Sequence, residues 1–247
     1  MIRPKYESVD STIVLVGGNS GIGIALTNLL LECGVKVIAA DIQQESNTHR
    51  HQELIYYRID PTDNESMLAF ANELITENAH ITGLVCLSGT ILNFKTIEDL
   101  DFEDWTKEFN ISFKSCYNAC KYLMPLLKRA PNAAIVNMSS GLAFGGQAKY
   151  GAYSNAKASI VSLSKILATE LGPSIRVNSI APGAVDTPFI YTDGAKRFDE
   201  KMYEQISPLS TIAKPEDIAQ TILFLLSEGA DHITGQCIHV NGGTFMV

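Results

Sequence analysis

The chain has 247 residues, with 27 acidic and 19 basic side chains and a formal net charge of -8 at pH 7. At 46% hydrophobic and 19% charged residues it can bury a large core, which excludes a disordered chain. The acidic balance speaks against nucleic acid as a partner, no apolar run approaches the ~18 residues of a membrane span, and the first residues lack the apolar stretch of a secretory signal. A soluble cytoplasmic protein is expected. Apolar, β-branched runs then alternate with helical patterns. Thr12–Val16 is the first predicted strand, followed by a helix from about Gly21 to Cys33. A second strand, Val35 to Ala40, ends at Asp41, and a third, Leu54 to Ile59, ends at Asp60. Thr62-x-x-Glu65 reads as a capping box opening the next helix. Ile81 to Leu87 is a fourth strand, and one long helix follows Asp101, with Trp105, Phe109 and Phe113 on one side, ending near Pro131. Ala133 to Met138 is a fifth strand, and a helix from Tyr153 to Leu171 stops at Gly172-Pro173. Ile175 to Ile180, a helix from Pro215 to about Ser227, and a last strand from Cys237 to Val240 complete the pattern. Strands this apolar are covered on both faces, so one α/β domain is predicted: a Rossmann-type, doubly wound parallel sheet of about seven strands with helices on each side.

The five cysteines (Cys33, Cys86, Cys116, Cys120 and Cys237) form no Cys-x-x-Cys pair, which speaks against a disulfide framework or a zinc knuckle. Cys116 and Cys120 would share a helix face, but their local stretch offers no His or carboxylate, so they read as packing residues and no metal is expected. His49 and His51 read as a solvated loop pair. The segment from Thr187 to Lys214 exceeds the ~12–15 residues of ordinary connections and carries Phe189, Ile190, Tyr191, Phe198, Met202 and Tyr203. It reads as a lid over a ligand site at the carboxyl ends of the strands.

Directly after the first strand, Gly17-Gly18-Asn19-Ser20-Gly21-Ile22-Gly23 opens a helix. Such a turn lets the backbone approach a pyrophosphate, which the helix N-terminus then meets with amide donors. Asp41 follows about twenty residues on, where a carboxylate accepts hydrogen bonds from both hydroxyls of an adenosine ribose. It would also repel a 2′-phosphate, and no Arg or Lys stands beside it in Asp41-Ile42-Gln43-Gln44, so NAD rather than NADP is expected. Asp60, before Pro61, reads equally as an adenine contact or a turn former. Tyr153 and Lys157 lie one helical turn apart on one face. A Tyr ordinarily titrates near ~10, and a neighbouring ammonium favours its phenolate, which suits proton exchange near neutrality. Ser139-Ser140 ends the fifth strand, where its hydroxyls can meet Tyr153.

With the Gly17–Gly23 turn, Asp60, Asn110, Ser140, Tyr153-x-x-x-Lys157, Arg176-Val177-Asn178 and Pro182-Gly183-x-Val185-x-Thr187 in this order, the chain resembles the short-chain dehydrogenase/reductase family over nearly its full length. The resemblance implies that Ser140 orients the substrate oxygen, Tyr153 is the acid/base, Lys157 holds the nicotinamide ribose and Asn110 places a relay water. It implies cofactor contacts from Gly17, Asn19, Ser20, Gly21, Ile22, Gly23, Asp41, Ile42, Asp60, Pro61, Leu87, Ser88, Gly89, Tyr153, Lys157, Pro182 and Gly183, with Val185 and Thr187 on the carboxamide. It also implies a homo-oligomer, a tetramer or dimer. The sequence departs from the family at Val16 (usually Thr), at Cys86-Leu87-Ser88-Gly89 (usually Asn-Asn-Ala-Gly), at Asn241-Gly242-Gly243 (usually Asp-Gly-Gly) and in the aromatic lid.

The function expected is an NAD-dependent oxidoreductase that interconverts a secondary alcohol and a ketone, with alcohol oxidation the favoured direction. Phe94, Phe144, Phe189, Ile190 and Tyr191 are candidate pocket residues for a small to medium, partly apolar substrate. The alternatives are a non-catalytic NAD-binding regulator or scaffold, and an NADPH-dependent carbonyl or 3-oxoacyl reductase.

Overall fold

The computed structural model describes residues 11–43, 51–192, 195–196 and 198–246. The first of the two loop histidines, His49, lies outside the described residues, as does part of the segment read as a lid. The apolar runs pair as β1 (Thr12–Val16), β2 (Lys36–Asp41), β3 (Leu54–Arg58), β4 (Ile81–Cys86), β5 (Ala133–Met138) and β6 (Ile175–Pro182). A two-residue ribbon, β7 (Tyr191–Thr192) and β8 (Ala195–Lys196), precedes the last strand, β9 (Cys237–Val240). The main sheet is parallel in the order β3-β2-β1-β4-β5-β6-β9. Strand order reverses between β1 and β4, and a doubly wound sheet opens its ligand crevice at that point.

Helices cover both faces. On one side α2 (Asn64–Thr76), α4 (Ser115–Leu127) and α5 (Gly151–Leu171) bury Met67, Phe70, Leu123 and Ile160 against the sheet. On the other, α1 (Gly21–Glu32) and α7 (Pro215–Leu226) bury Leu26, Leu30, Ile218 and Ile222. Double coverage explains why β1 and β5 are buried at every position. The two edge strands are the exceptions: Ile55 and Arg58 of β3 are exposed, and β9 is only half-buried along its length. Arg176 donates to Leu225 O (2.8 Å) and Ser227 O (3.2 Å), while Asn178 donates to Ile233 O (2.7 Å), so this pair fastens β6 to the chain leaving α7. No described helix is long and apolar enough to cross a membrane.

Four local expectations change. Helix α2 is capped by Asp63, whose carboxylate accepts the N–H groups of Glu65 (3.4 Å) and Ser66 (3.1 Å). The Thr62 hydroxyl instead donates to Asp60, so Thr62-x-x-Glu65 is not the cap. The helix expected after Asp101 divides into α3 (Phe102–Phe109) and α4, joined by a π-helical turn over Asn110–Lys114. Such turns add a residue to the ladder and cluster at functional sites. Finally, α5 begins at Gly151, which places Tyr153 in its first turn, and β6 runs on to Pro182 beside Val240.

Candidate active site

The glycine turn after β1 is tight for a steric reason. A Cβ on Gly23 would lie 2.6 Å from Gly18 O, and one on Gly17 (φ +85°) would lie 2.7 Å from the Ser88 backbone nitrogen. Only glycine lets α1 start this close to β1 and lets β1 pass this close to the chain leaving β4. Ser20 caps α1 without a side-chain bond to it, and the first turn carries no acidic residue. The N-terminal amides and the positive end of the helix dipole therefore face the crevice, which suits a pyrophosphate. These features fit a dinucleotide.

Asp41 ends β2 nearly buried, and its two carboxylate oxygens accept the N–H groups of Asn19 and Gln43, each at 3.0 Å. One side chain thus holds the glycine turn against the end of β2. Parallel register sets Asp41 opposite Arg58, whose Nε donates to Ile42 O at 3.4 Å. The local stretch around Asp41 holds no cation, but the neighbouring strand delivers one. Asp60 accepts from the Thr62 amide (2.8 Å) and hydroxyl (2.6 Å), closing the turn into α2. These bonds are those of the turn-forming reading of Asp60. Pro61 O accepts from Asn118 Nδ2 at 3.0 Å.

A cavity of about 290 Å³ opens at the carboxyl ends of the strands. It brings together Gly17, Ser20, Gly21, Ile22, Gly23, Leu87, Gly89, Ser140, Tyr153, Lys157, Pro182, Gly183, Val185 and Thr187. Asn19, Asp41, Ile42, Asp60, Pro61, Ser88 and Asn110 are not in its lining. Asn110 instead begins the π-helical turn.

Lys157 is the most constrained residue of the cluster. It is buried, and its ammonium donates to Met138 O (2.9 Å) and Ser88 O (3.3 Å), tying the ends of β5 and β4 together. An ammonium has three protons, and these bonds use two. Burial pushes Lys157 down to about 8, and Cys116 and Cys86 oppose that shift. Its Nζ lies 5.6 Å from the centre of the Tyr153 ring. Ser139 donates to Lys157 O (2.9 Å), anchoring α5 to β5, while Ser140 Oγ accepts the Leu142 N–H (3.2 Å). The Ser140 hydroxyl proton is thus not used in that bond.

The substrate side differs from the aromatic set expected. Phe189 and Ile190 line the cavity, with Phe189 5.8 Å from Tyr153 between ring centres. Phe94 instead packs edge-on against Tyr150 at 5.0 Å, Phe144 sits 4.5 Å from the His239 ring, and Tyr191 donates to Asp186 at 3.1 Å. Their places are taken by Ile91, Leu142, Tyr150, Met202 and Phe245. Glu108, 1% exposed, accepts the N–H groups of Leu92 and Asn93 at 2.8 Å each and so holds the loop that presents Ile91. A lone Glu in an aromatic-flanked helix signals none of this in the sequence.

The departures from the family pattern acquire reasons. Val16 is fully buried in the core. Cys86 lies among Cys116 and Cys120 rather than leaving a gap. Asn241 accepts the Gly243 N–H (2.9 Å) and donates to Phe245 O (2.8 Å), a donation that an Asp carboxylate cannot make. Phe245 is thereby laid over Gly145, where any Cβ would stand 2.4 Å from its ring. The long aromatic segment contributes α6 (Glu200–Ile206), and Tyr203 on that helix accepts the Ala184 N–H through its hydroxyl at 2.9 Å.

A family model described as "Enoyl-(Acyl carrier protein) reductase" matches residues 16–244. A 3-oxoacyl-(acyl-carrier-protein) reductase FabG of Thermotoga maritima is 32% identical over 241 residues, covering 93% of this chain and 96% of the relative. A cis-4-hydroxycyclohexanecarboxylate dehydrogenase of Sinomonas cyclohexanicum is 31% identical, covering 93% and 94%. A solved short-chain dehydrogenase/reductase of Brucella melitensis, described as a glucose/ribitol dehydrogenase, superposes with a TM-score of 0.90 at 27% identity over 100% of both chains. Sequence, fold and crevice agree: the chain belongs to the short-chain dehydrogenase/reductase family of oxidoreductases.

Proposed function

We propose that this protein is an NAD-dependent dehydrogenase of an uncharged or largely apolar secondary alcohol, with Tyr153 as the acid/base. The observation that carries this reading is the convergence of Ser140, Tyr153 and Lys157 on the same cavity as the Gly17–Gly23 turn. NAD, when bound, supplies the hydride acceptor. The protein's own groups then handle one proton. Ser140 donates its hydroxyl hydrogen to the substrate oxygen and orients it, and Tyr153 takes the alcohol proton as the carbonyl forms. The Lys157 ammonium favours the phenolate by its charge, and its remaining proton serves the nicotinamide ribose. Asn110 holds a relay water. Asp41 accepts the adenosine ribose hydroxyls with Ile42 beside it, Asn19, Asp60, Pro61 and Ser88 support the same end, and Val185 and Thr187 meet the carboxamide. The Thr187–Lys214 segment acts as a lid, with Phe189, Met202 and Tyr203 already against the cavity. Phe102, Ile97 and Ile166 stand exposed, in keeping with a homo-oligomer of this chain.

Substrate class follows from the lining. The charged residues there, among those described, are Lys157 and Asp199. The first is committed to the sheet ends, and the second caps α6 by accepting the N–H groups of Lys201 and Met202. No lining cation is left to pair a carboxylate or phosphate, which suits a ring or short-chain alcohol. The relative named for cis-4-hydroxycyclohexanecarboxylate acts on a ring alcohol that also bears a carboxylate, a charge this lining has no cation to pair. The test is nicotinamide absorbance in the presence of cyclohexanol, 2-butanol and 1-phenylethanol with NAD or NADP. Reduction of NAD by at least one of them is expected, and turnover with NADP alone would overturn the cofactor assignment.

Phe245 sets the size limit in this account. Truncating it to Ala is expected to raise kcat/KM for 1-phenylethanol relative to 2-butanol by about tenfold or more, the scale on which an apolar pocket discriminates. NADH affinity should not change. An unaltered ratio would remove Phe245 from the substrate wall.

A second reading is an NADPH-dependent 3-oxoacyl reductase, the activity named for the Thermotoga relative. Arg58 favours it, because its guanidinium reaches the adenosine end from the neighbouring strand. Asp41 weighs against it by repelling a 2′-phosphate.

A further inference from the structure

The sequence pair Cys116/Cys120 lacks a third ligand within its own helix, and the fold provides one. Cys86, at the end of β4, comes to the pair from the sheet, and the three sulfur atoms lie within 4.8 Å of one another. All three residues are 2% exposed. A triangle with edges of 4.8 Å places its centre about 2.8 Å from each sulfur, against ~2.3 Å for a zinc–thiolate bond, so each sulfur need move by only about half an ångström.

A fourth donor already meets one corner of this triangle. Asn137 of β5 accepts a hydrogen bond from Cys120 Sγ through Oδ1 at 3.7 Å. Its orientation is dictated from behind: Ser164 Oγ donates to Ile160 O (2.8 Å), so the same oxygen can only accept from Asn137 Nδ2 (3.0 Å). That turns the amide oxygen toward Cys120, the kind of outer support that orients metal ligands. Charge also balances. Three thiolates carry three negative charges, a divalent ion two positive, and the neighbouring Lys157 ammonium supplies the third, so the buried assembly is neutral.

We propose that Cys86, Cys116 and Cys120, with the Asn137 carboxamide oxygen, bind one thiophilic divalent d10 cation of the zinc class. The three thiol protons leave on binding, four ligand bonds form and no electron is transferred. The ion joins β4, β5 and α4 directly beneath the chain that carries Leu87, Ser88 and Gly89. It serves as a structural tie where an Asn side chain usually stands, distinct from the reaction itself.

The experiment uses the full chain without an affinity tag that binds metal, expressed in zinc-supplemented medium and kept reduced. Elemental analysis should find about one zinc per chain. Cobalt-supplemented expression should give the sulfur-to-cobalt absorption of a thiolate site. Cys86→Ser and Cys120→Ala should each lose the zinc by at least about tenfold, whereas Cys33→Ser and Cys237→Ser, outside the cluster, should retain it. Wild-type protein is decisive even if a cluster variant fails to fold. Less than about a tenth of an equivalent of zinc in soluble wild-type protein, with the same Tm whether the medium contained zinc or a chelator, would overturn the proposal. So would a Cys86–Cys116 or Cys86–Cys120 disulfide in that protein, or zinc that survives in both cluster variants.

Discussion

Tyr153→Phe is expected to lower kcat by about 10²–10⁴-fold, the contribution of a positioned proton-exchange group, while the Kd for NADH stays within about twofold. The substitution removes one oxygen from a nearly buried residue and leaves its ring in place against Phe189, 5.8 Å away between centres. Ser140 and Lys157 are held by backbone partners that do not involve Tyr153: Lys157 by Met138 O and Ser88 O, Ser140 by the Leu142 N–H. The scaffold and the cofactor cleft should therefore survive, and the loss should fall on the chemical step. Steady-state rates with the best alcohol, paired with a fluorescence titration of NADH, separate the two. Retained turnover would remove Tyr153 from the acid/base role, whatever the cofactor result.

The second large effect is expected at Gly23. Changing it to Ala puts a methyl group 2.6–2.7 Å from Gly18 O, C and Cα, all of them backbone atoms that cannot swing aside. Either α1 retreats from the turn or the turn opens, and both moves displace the amides that would meet a pyrophosphate in the proposed dinucleotide site. Affinity for NADH should fall by about a hundredfold or more, and overpacking should lower stability by about 1–3 kcal/mol. A thermal melt alongside the titration distinguishes a folded protein with a spoiled cleft from a globally weakened one. Unchanged NADH binding in Gly23→Ala would mean that the dinucleotide does not lie across this turn.

What could be read from the sequence shares one property: it is encoded within a single turn or strand. The buried strands announce themselves by nearly unbroken apolar runs, so β1 and β5 occupy the expected residues. Tyr153 and Lys157 are one helical turn apart, and both line the cavity at the end of β5. The glycine spacing of Gly17–Gly23 is likewise local. The features that escaped are created by pairing across the sheet or by contacts far apart along the chain. Arg58 meets Asp41 through the β2–β3 register, and Cys86 meets Cys116 through the packing of α4 on β4. Phe245 lies a hundred residues from Gly145, and only the Asn241 turn brings it there. Competition between neighbouring acceptors produced the misread cap. Asp63 outdoes Thr62 because a carboxylate accepts two amides at once, while the Thr62 hydroxyl already donates to Asp60. The π-helical turn at Asn110 has no residue signature of its own, so the aromatic periodicity of Trp105, Phe109 and Phe113 suggested an unbroken helix.

Asp41 and Arg58 make opposite demands on the cofactor, and the weight between them decides the central claim. Asp41 is nearly buried and fixed by two amides, so it does not turn away from a bound ribose. Arg58 is exposed and, among the described residues, held by one 3.4 Å bond to Ile42 O. The fixed carboxylate should dominate. The measurement that tests this most directly is a paired titration of the purified wild-type protein with NADH and NADPH, followed by nicotinamide fluorescence. NADH is expected to bind at least about tenfold more tightly, a difference of about 1.4 kcal/mol. Equal or tighter binding of NADPH would contradict the NAD assignment and make Arg58 the deciding residue, and binding of neither would contradict the reading of this cleft as a dinucleotide site.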